Sequence, residues 1–565
     1  MSTAPGLEEL LGDPWDGDNP LGFEAIVAAD EDGRLPRGGE RLLDRYGLGK
    51  EFVPAELGGR LHDISQLARS LRSVFRRDGA LGLGHGVTSF MAAVNVWTSG
   101  SPQQRRRLAE VLGDGGKAAV CFHELAHGND LSRQEFRADP GTGGFLLNGR
   151  KEVVNNADRA DALVLFARTG QGPGSRSHSL LLLERPRLPG ARVRSLPRYP
   201  TVGVRGCRLS GLEFTDCPAP ADSTVGEAGT GLETALRSFQ VTRAALPSMA
   251  LGTLDTQLRV TLRFALHRKL YGTRVAELPH ARGLLAGAFV DLLIADCLAT
   301  TATRALHLLP DQCGPVAAAT KYLVPQLLLG ACADLSVVLG ARHYLREGEF
   351  AIFQKHLRDL PVLSLGHAGS TTCLATLVPQ LHQLARRSWL LGAEAPPALF
   401  RPDEALPAMR YDRLSIGTGG RDVLGGGVLA SFEAVLKEFT GPRDPLAALA
   451  RVLREEFHDL ATRCAALRPR ERTVVSGPRS FELAERYALL LAASSCTQVW
   501  RHSRDTALPF LRDPAWLTAA LHRIAVRLGH TPQPPAQETD DLVFTELLVR
   551  HEASTSFDLD DRPYA

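Results

Sequence analysis

The hydrophobic period of this chain changes twice along its length, and few architectures accommodate the order that results. Over residues 1–118 the segments GGERLLDRYGL, DISQLARSLRSVFRRDGAL and SPQQRRRLAEVLGDG repeat apolar residues three or four apart, the spacing of one helix face. Over 119–225 the pattern shortens to AAVCFHE, GGFLLNGRKEVV, DALVLFART, HSLLLLE, ARVRSLP and GCRLSGLEFTDC, split by turn formers such as DPGTGG and GQGPGSRS. Short strands of this kind predict a small antiparallel barrel or sandwich rather than a parallel sheet. Over 226–395 the helical period returns: Leu246, Ala250, Leu254, Leu258 and Leu262 line one face, and three further long apolar stretches complete a four-helix bundle. Residues 396–430, rich in Pro and Gly, read as a linker. Residues 431–565 read as a further helical domain ending in an acidic segment, DLDDRPYA, that is expected to fray. The expected fold class is therefore α+β, mainly α.

At 565 residues the chain exceeds one ordinary core and calls for several cooperating domains. Sixty-five basic side chains against 63 acidic ones leave +2, so no global field draws in nucleic acid or an anionic membrane. Nine cysteines, odd in number and without a CxxC, read as reduced thiols that build neither a disulfide frame nor a metal cluster. The N-terminal stretch is acidic and lacks a basic region followed by an apolar core. The longest apolar runs are short or carry Asp334, so a cytoplasmic protein without a membrane span is expected. GTGGRDVLGGG follows no strand and lacks Gly-Lys-Ser/Thr, so it reads as a connector rather than a phosphate cradle. Histidines such as His123, His127 and His367 are numerous, but no H-E-x-x-H occurs and no metal site is expected.

Several ordered segments agree with one family. Val120-Cys-Phe-His-Glu-Leu-Ala-His-Gly-Asn-Asp-Leu131 comes first, then Phe145-Leu-Leu-Asn-Gly-Arg-Lys151 with Val153-Val-Asn-Asn156. Arg243, Gly252 and Leu266-His-Arg-Lys-Leu-Tyr-Gly272 follow, and then Lys321, Gly340, Tyr344 and Arg358-Asp359. Over roughly residues 40–395 the chain resembles the acyl-CoA dehydrogenases and acyl-CoA oxidases. The resemblance implies an N-terminal helical domain, a central β-domain and a helical bundle, with FAD as cofactor. It implies that Phe122, Val153 and their neighbours wall the isoalloxazine ring, with His123 and Asn155 where the family usually places hydroxyl residues. Asn129 would meet the pyrophosphate, Arg268 would bind the diphosphate across a subunit interface, and Tyr271 would pack beside the cofactor. Gly340 falls in the turn that meets the adenosine half of a neighbour's FAD, although Val337, Arg342 and His343 depart from the family pattern there. Arg243 would bind near the acyl or pantetheine part of the substrate.

The family's catalytic Glu follows the Arg-Asp pair, and here that position holds His367; the alternative position, just before Arg243, holds Thr242. The resemblance implies α,β-dehydrogenation of an acyl thioester, on CoA or an acyl carrier protein, with His367 as substitute base and a specialised biosynthetic substrate. Two other readings stay open: a flavin-dependent monooxygenase or oxidase on the same fold, and a catalytically silent thioester-binding homologue. Electron-transfer flavoprotein or O2 would accept the electrons, and a homodimer or homotetramer is implied.

Overall fold

Strand Ala162–Arg168 (β4) is buried along both faces, as its unbroken apolar run requires, and it organises the sheet around it. It pairs antiparallel with His178–Glu184 (β5) and parallel with Ala118–Cys121 (β1). The remaining strands are Arg137–Gly141 (β2), Gly144–Asn155 (β3), Val193–Leu196 (β6), Leu209–Pro220 (β7) and Thr224–Val225 (β8). Their order is β6-β7-β3-β2-β4-β5-β8. The expected antiparallel sheet holds for most pairs; β1 with β4, and one rung of β2 with β4, are parallel. Leu147, Leu163, Leu165, Leu181, Leu212 and Phe214 fill its core.

This computed structural model describes residues 6–170, 172, 174–366, 369–392, 394–441, 443–504 and 508–564. The chain forms two compact units, the first comprising residues up to Thr242 together with Ala408–Ile416. Before the sheet it holds α1 (Leu7–Leu11), α2 (Phe23–Glu31), α3 (Arg37–Tyr46), α4 (Ile64–Arg77), α5 (Gly79–Leu81), α6 (Thr88–Ser99) and α7 (Pro102–Gly113). Ser101 and Gln104 form a reciprocal capping box that starts α7, and Gln104 Nε2 reaches on to the carbonyls of Asp222 and Thr224, tying the helix to the sheet edge. Residues 408–416 fall within the stretch read as a linker, yet they are held in this unit. Arg237 donates to the carbonyls of Tyr411, Asp412 and Leu414, and Gln240 to that of Ser415.

Helix α8 (Gly231–His267) contributes its residues up to Thr242 to the first unit and the rest to the second. The second unit continues through α9 (Pro279–Leu308), α10 (Gly314–Leu339), α11 (Ala351–Asp359), α12 (Val362–Leu365) and α13 (Ser370–Leu384). Then come α14 (Val423–Glu438), α15 (Pro445–Ala465), α16 (Pro478–His502), α17 (Pro509–Arg512), α18 (Pro514–Arg527) and α19 (Gln537–Glu552). Two stretches, Pro279–Leu308 and Gly314–Tyr344, are long and apolar enough to span a membrane, contrary to the sequence reading. The most apolar window of the first is 89% buried inside the protein, and its Asp291 binds Arg523 and Arg527, so it serves as a core helix.

The glycine-rich stretch read as a connector is the start of α14. Asp422 caps it by accepting from the Gly425 amide, and it also accepts from Trp389 Nε1 at 2.8 Å and Tyr487 Oη at 2.6 Å. A Cβ on Gly425 would lie 2.2 Å from an Asp422 carboxylate oxygen, so only glycine fits there.

The C-terminal segment does not fray. The amides of Phe557 and Leu559 donate to the carboxylates of Asp255 and Asp296, and the Arg259 guanidinium stacks between the rings of Phe557 and Tyr564. The buried Arg550 donates to the carbonyls of Ser556 and Asp558. Phe557→Ala removes a fully buried ring and one wall of the Arg259 sandwich. It should lower the unfolding free energy of this unit by about 3 kcal/mol in denaturant titration.

Candidate active site

The β-domain side of the site starts from a bulge. Between Lys151 and Val154 the β3–β7 register slips, so that Glu152 and Val153 both stand against Gly211 of β7. Val153 takes a positive φ of 53°, and a Cβ on Gly211 would lie 2.5 Å from the Lys151 carbonyl. The bulge turns the Glu152 amide onto the His123 carbonyl at 2.9 Å, and the Glu152 carboxylate accepts from the Leu125 amide. The strand end 122–125 is thereby clipped to the end of β3.

A buried ammonium holds the same strand end from inside. Lys151 Nζ, with no exposed surface, donates to Glu124 Oε1 at 2.7 Å, to Gln134 Oε1 at 2.8 Å and to the Phe122 carbonyl at 3.5 Å. Glu124 also accepts from the Glu135 and Phe136 amides. Burial pushes the Glu124 carboxyl up, but Lys151 and these amides outweigh it and leave it below the usual carboxylate range; burial pulls Lys151 down to about 8. Glu124 is thus committed to holding this strand end, its oxygens taken up by Lys151 and two amides. Beyond the ammonium, Phe122 packs on Phe166 and Phe239, and His178 stacks on Phe166 at 4.8 Å.

His123 stands between Phe122 and Glu124. Its Nδ1 is buried without a hydrogen-bond partner, and burial together with the Lys151 charge lowers its pKa. Asn155 donates to Thr88 Oγ1 at 2.7 Å, and its Oδ1 is buried without a partner as well. Thr88 follows a π-helical turn, Gly82–Val87, whose wider winding frees carbonyls: Leu83 accepts from Thr88 Oγ1, and Gly84 from Asn156 Nδ2 and Arg159. In that turn His85 lies between Glu40 and Asp44, with Lys117 and Arg159 completing the charged cluster. Asn129 is exposed in the loop after Gly128.

Within the second unit, Arg243 is buried and its Nη1 donates to Thr376 Oγ1 on α13. Burial pulls Lys321 of α10 down to about 8, with Arg243 adding to the shift and Cys373 opposing it. Arg268 follows α8 and precedes the short hairpin Lys269–Arg274, at whose turn Tyr271 is 95% exposed with φ of 54°. Gly340, at φ 57°, ends α10 and opens the turn to Tyr344. Arg358 donates to Gln354, while Asp359 is buried in an ion pair with Lys355. His367 lies outside the described residues.

Lys151, Gln134, His178 and the Glu40–His85–Asp44 cluster were missed as site residues. The signal for Lys151 was its parity with the inward-facing Leu147.

Residues 119–217 match the acyl-CoA dehydrogenase middle domain, and residues 229–378 its C-terminal domain. The chain is 26% identical over 348 residues to the human mitochondrial short-chain specific acyl-CoA dehydrogenase, covering 61% of this chain and 82% of that protein. Its fold is similar to that of an acyl-CoA dehydrogenase complexed with FAD from Bacillus anthracis, with a TM-score of 0.72 at 15% identity over 97% of this chain and 98% of that one. It is also similar in fold to the prolyl acyl carrier protein oxidase AnaB, with a TM-score of 0.57 at 19% identity over 65% of this chain and 94% of that one.

Lys151→Met leaves the Glu124 carboxylate buried without its cation. It should cost about 3–5 kcal/mol of stability and raise the His123 titration midpoint in histidine NMR spectra. Burial pushes the Glu40 and Asp44 carboxyls up, but the hydrogen bonds from His85, Arg159 and Lys117 prevail and hold both at about 2. A depressed carboxyl contributes stability that is full above its unfolded value of 4.5 and lost as pH falls through about 2. Glu40→Gln should therefore destabilise the protein at pH 6 by about 1–2 kcal/mol, and the gap from wild type should close towards pH 2 in urea titrations.

Proposed function

We propose that the chain, whose residues 119–217 and 229–378 match acyl-CoA dehydrogenase domains, is a FAD-dependent oxidoreductase of that family acting on the acyl chain of a thioester carried by CoA or an acyl carrier protein. The observation that carries this reading is a pair of orphaned buried atoms, His123 Nδ1 and Asn155 Oδ1, beside the bulge and the Phe122 wall. A buried polar atom left without a partner is costly, and a ligand with hydrogen-bonding atoms along a flat apolar ring relieves both. An isoalloxazine is such a ligand, so the residues present fit it. When bound, it supplies a two-electron acceptor for the hydride leaving the substrate β-carbon.

The chain's own residues then bind, orient and deprotonate. Phe122, Phe166 and Phe239 exclude water on the β-domain side. Arg243 and Lys321 place positive charge within the bundle, suited to a thioester carbonyl that gains negative charge as the α-proton departs. Thr242 is no base, because its hydroxyl donates to the Phe239 carbonyl of its own helix. His367 is our assignment for the proton acceptor: a neutral imidazole becomes imidazolium as it takes the α-proton. Arg268 and Tyr271, exposed in the single chain, suit a diphosphate shared with a second copy, hence a homodimer or homotetramer. Electron-transfer flavoprotein or O2 would take up the electrons. We place the reaction on a carrier-bound, biosynthetic substrate in the cytoplasm; a prolyl acyl carrier protein oxidase shares the fold.

The purified protein should be yellow and should bleach anaerobically with a matching acyl-CoA or acyl carrier protein thioester. His367→Ala should slow that bleaching by about 10²–10⁴-fold while leaving bound flavin intact. A colourless protein that takes up no added FAD would overturn the assignment, and an unchanged bleaching rate in the variant would remove His367 from the reaction.

A further inference from the structure

Helix α13 runs directly into a second π-helical turn, Ala385–Trp389, and a cavity of about 420 Å³ opens beside it. Its lining is His382, Gln383, Arg386, Arg387 and Arg472, with no carboxylate among them. His382 with Arg386, and Gln383 with Arg387, are neighbouring i,i+4 pairs that present their polar ends along one side. Arg472, after the turn Pro469–Glu471, supplies a third guanidinium.

Several arginines of this unit are held by carboxylates. Arg263 binds Glu349, Arg282 binds Asp541, Arg486 binds Glu456, and Arg523 and Arg527 share Asp291. The three at this cavity differ. Arg387 Nη1 donates to the Gly419 carbonyl at 3.0 Å and Arg472 Nε to the Leu467 carbonyl at 2.8 Å, contacts that fix a guanidinium without neutralising it. Arg386 makes no ion pair among the described residues. His382 Nδ1 is buried and has no hydrogen-bond partner. Three like charges thus line one space of the size that small-molecule sites occupy, with the His382 imidazole and the Gln383 amide beside them and little apolar surface.

We propose that this cavity binds the phosphate end of a small phosphorylated molecule, a phosphate monoester or a diphosphate. Each planar guanidinium can engage two oxygens at once, and a phosphate offers oxygens in several directions where a carboxylate offers two in one plane. The polar lining gives an acyl chain nothing to bury against. The proposal is independent of the redox reaction assigned above, and none of its residues takes part in that reaction.

Isothermal titration calorimetry of the full, flavin-loaded chain tests it, with inorganic pyrophosphate, adenosine monophosphate and acetate as probes. Pyrophosphate should bind saturably at one site per chain, and acetate should not compete with it. Arg386→Gln combined with Arg472→Gln should weaken binding at least about tenfold, Arg472→Lys should weaken it less, and Arg504→Gln, which removes an arginine paired with Glu438 elsewhere, should change nothing. Adenosine monophosphate binding as well identifies a nucleotide as the source of the phosphate, and pyrophosphate binding alone identifies a free or terminal diphosphate; both support the site. Absence of saturable pyrophosphate binding, or an affinity unchanged in the double variant that still carries its flavin, would overturn it.

Discussion

One ammonium group, Lys151 Nζ, organises the β-domain side of the candidate site. Moving a cation out of water costs several kcal/mol, so it remains in the interior only where its protons find acceptors on every side. Here a backbone carbonyl and a carboxylate from one strand end, Phe122 and Glu124, meet a side-chain amide from the loop beyond it, Gln134. The ammonium therefore fixes where the loop 122–136 returns to the sheet. His123, held between two of its acceptors, has little freedom to turn its ring elsewhere. The bulge on the same strand clips the other side through the Glu152 amide. The bulge and the buried ion pair thus brace the backbone around His123, whose buried Nδ1, like the Oδ1 of Asn155, has no hydrogen-bond partner.

The second unit uses the same device in reverse polarity. Asp255, Asp291, Asp296 and Asp422 are all buried, and each spends its oxygens on groups distant in sequence: the amides of Phe557 and Leu559, the guanidiniums of Arg523 and Arg527, and the indole and phenol of Trp389 and Tyr487. An unpaired buried carboxylate is so unfavourable that each of these aspartates specifies its partner. The apolar helices around them, rich in Leu and Ala, pack well in many registers, and the acids select among them.

Much of this architecture was legible. The switch of period located the sheet, and segments such as DALVLFART and HSLLLLE became strands buried on both faces. That two-sided burial hid the direction of pairing, because an unbroken apolar run satisfies a parallel or an antiparallel neighbour equally. The tail was misread because DLDDRPYA was weighed by its charge. Phe557, Leu559 and Tyr564 carry the burial, and Asp558 contributes a backbone carbonyl to Arg550 rather than its charge. The glycine run misled for a similar reason: glycine marks flexibility in isolation, but at Gly425 it marks a helix cap crowded by Asp422 and Trp389. For the candidate site, Phe122, His123, Val153 and Asn155 could be named as candidates from the family's segment order. Lys151 and His85 were not, because their roles depend on pairings with Glu124 and with Glu40 and Asp44 that no local spacing encodes.

The side-chain types of His123 and Asn155 restrict what their two unpartnered buried atoms can pair with. A hydroxyl rotates to donate or accept as required, whereas an amide oxygen only accepts, and an imidazole nitrogen is committed by its protonation state. Asn155 Nδ2 is already engaged by Thr88, so its Oδ1 must accept from the ligand. Burial and the nearby Lys151 charge keep His123 towards the neutral form, which leaves one ring nitrogen able to accept. Such an edge favours a ligand that presents N–H donors over one that presents only acceptors.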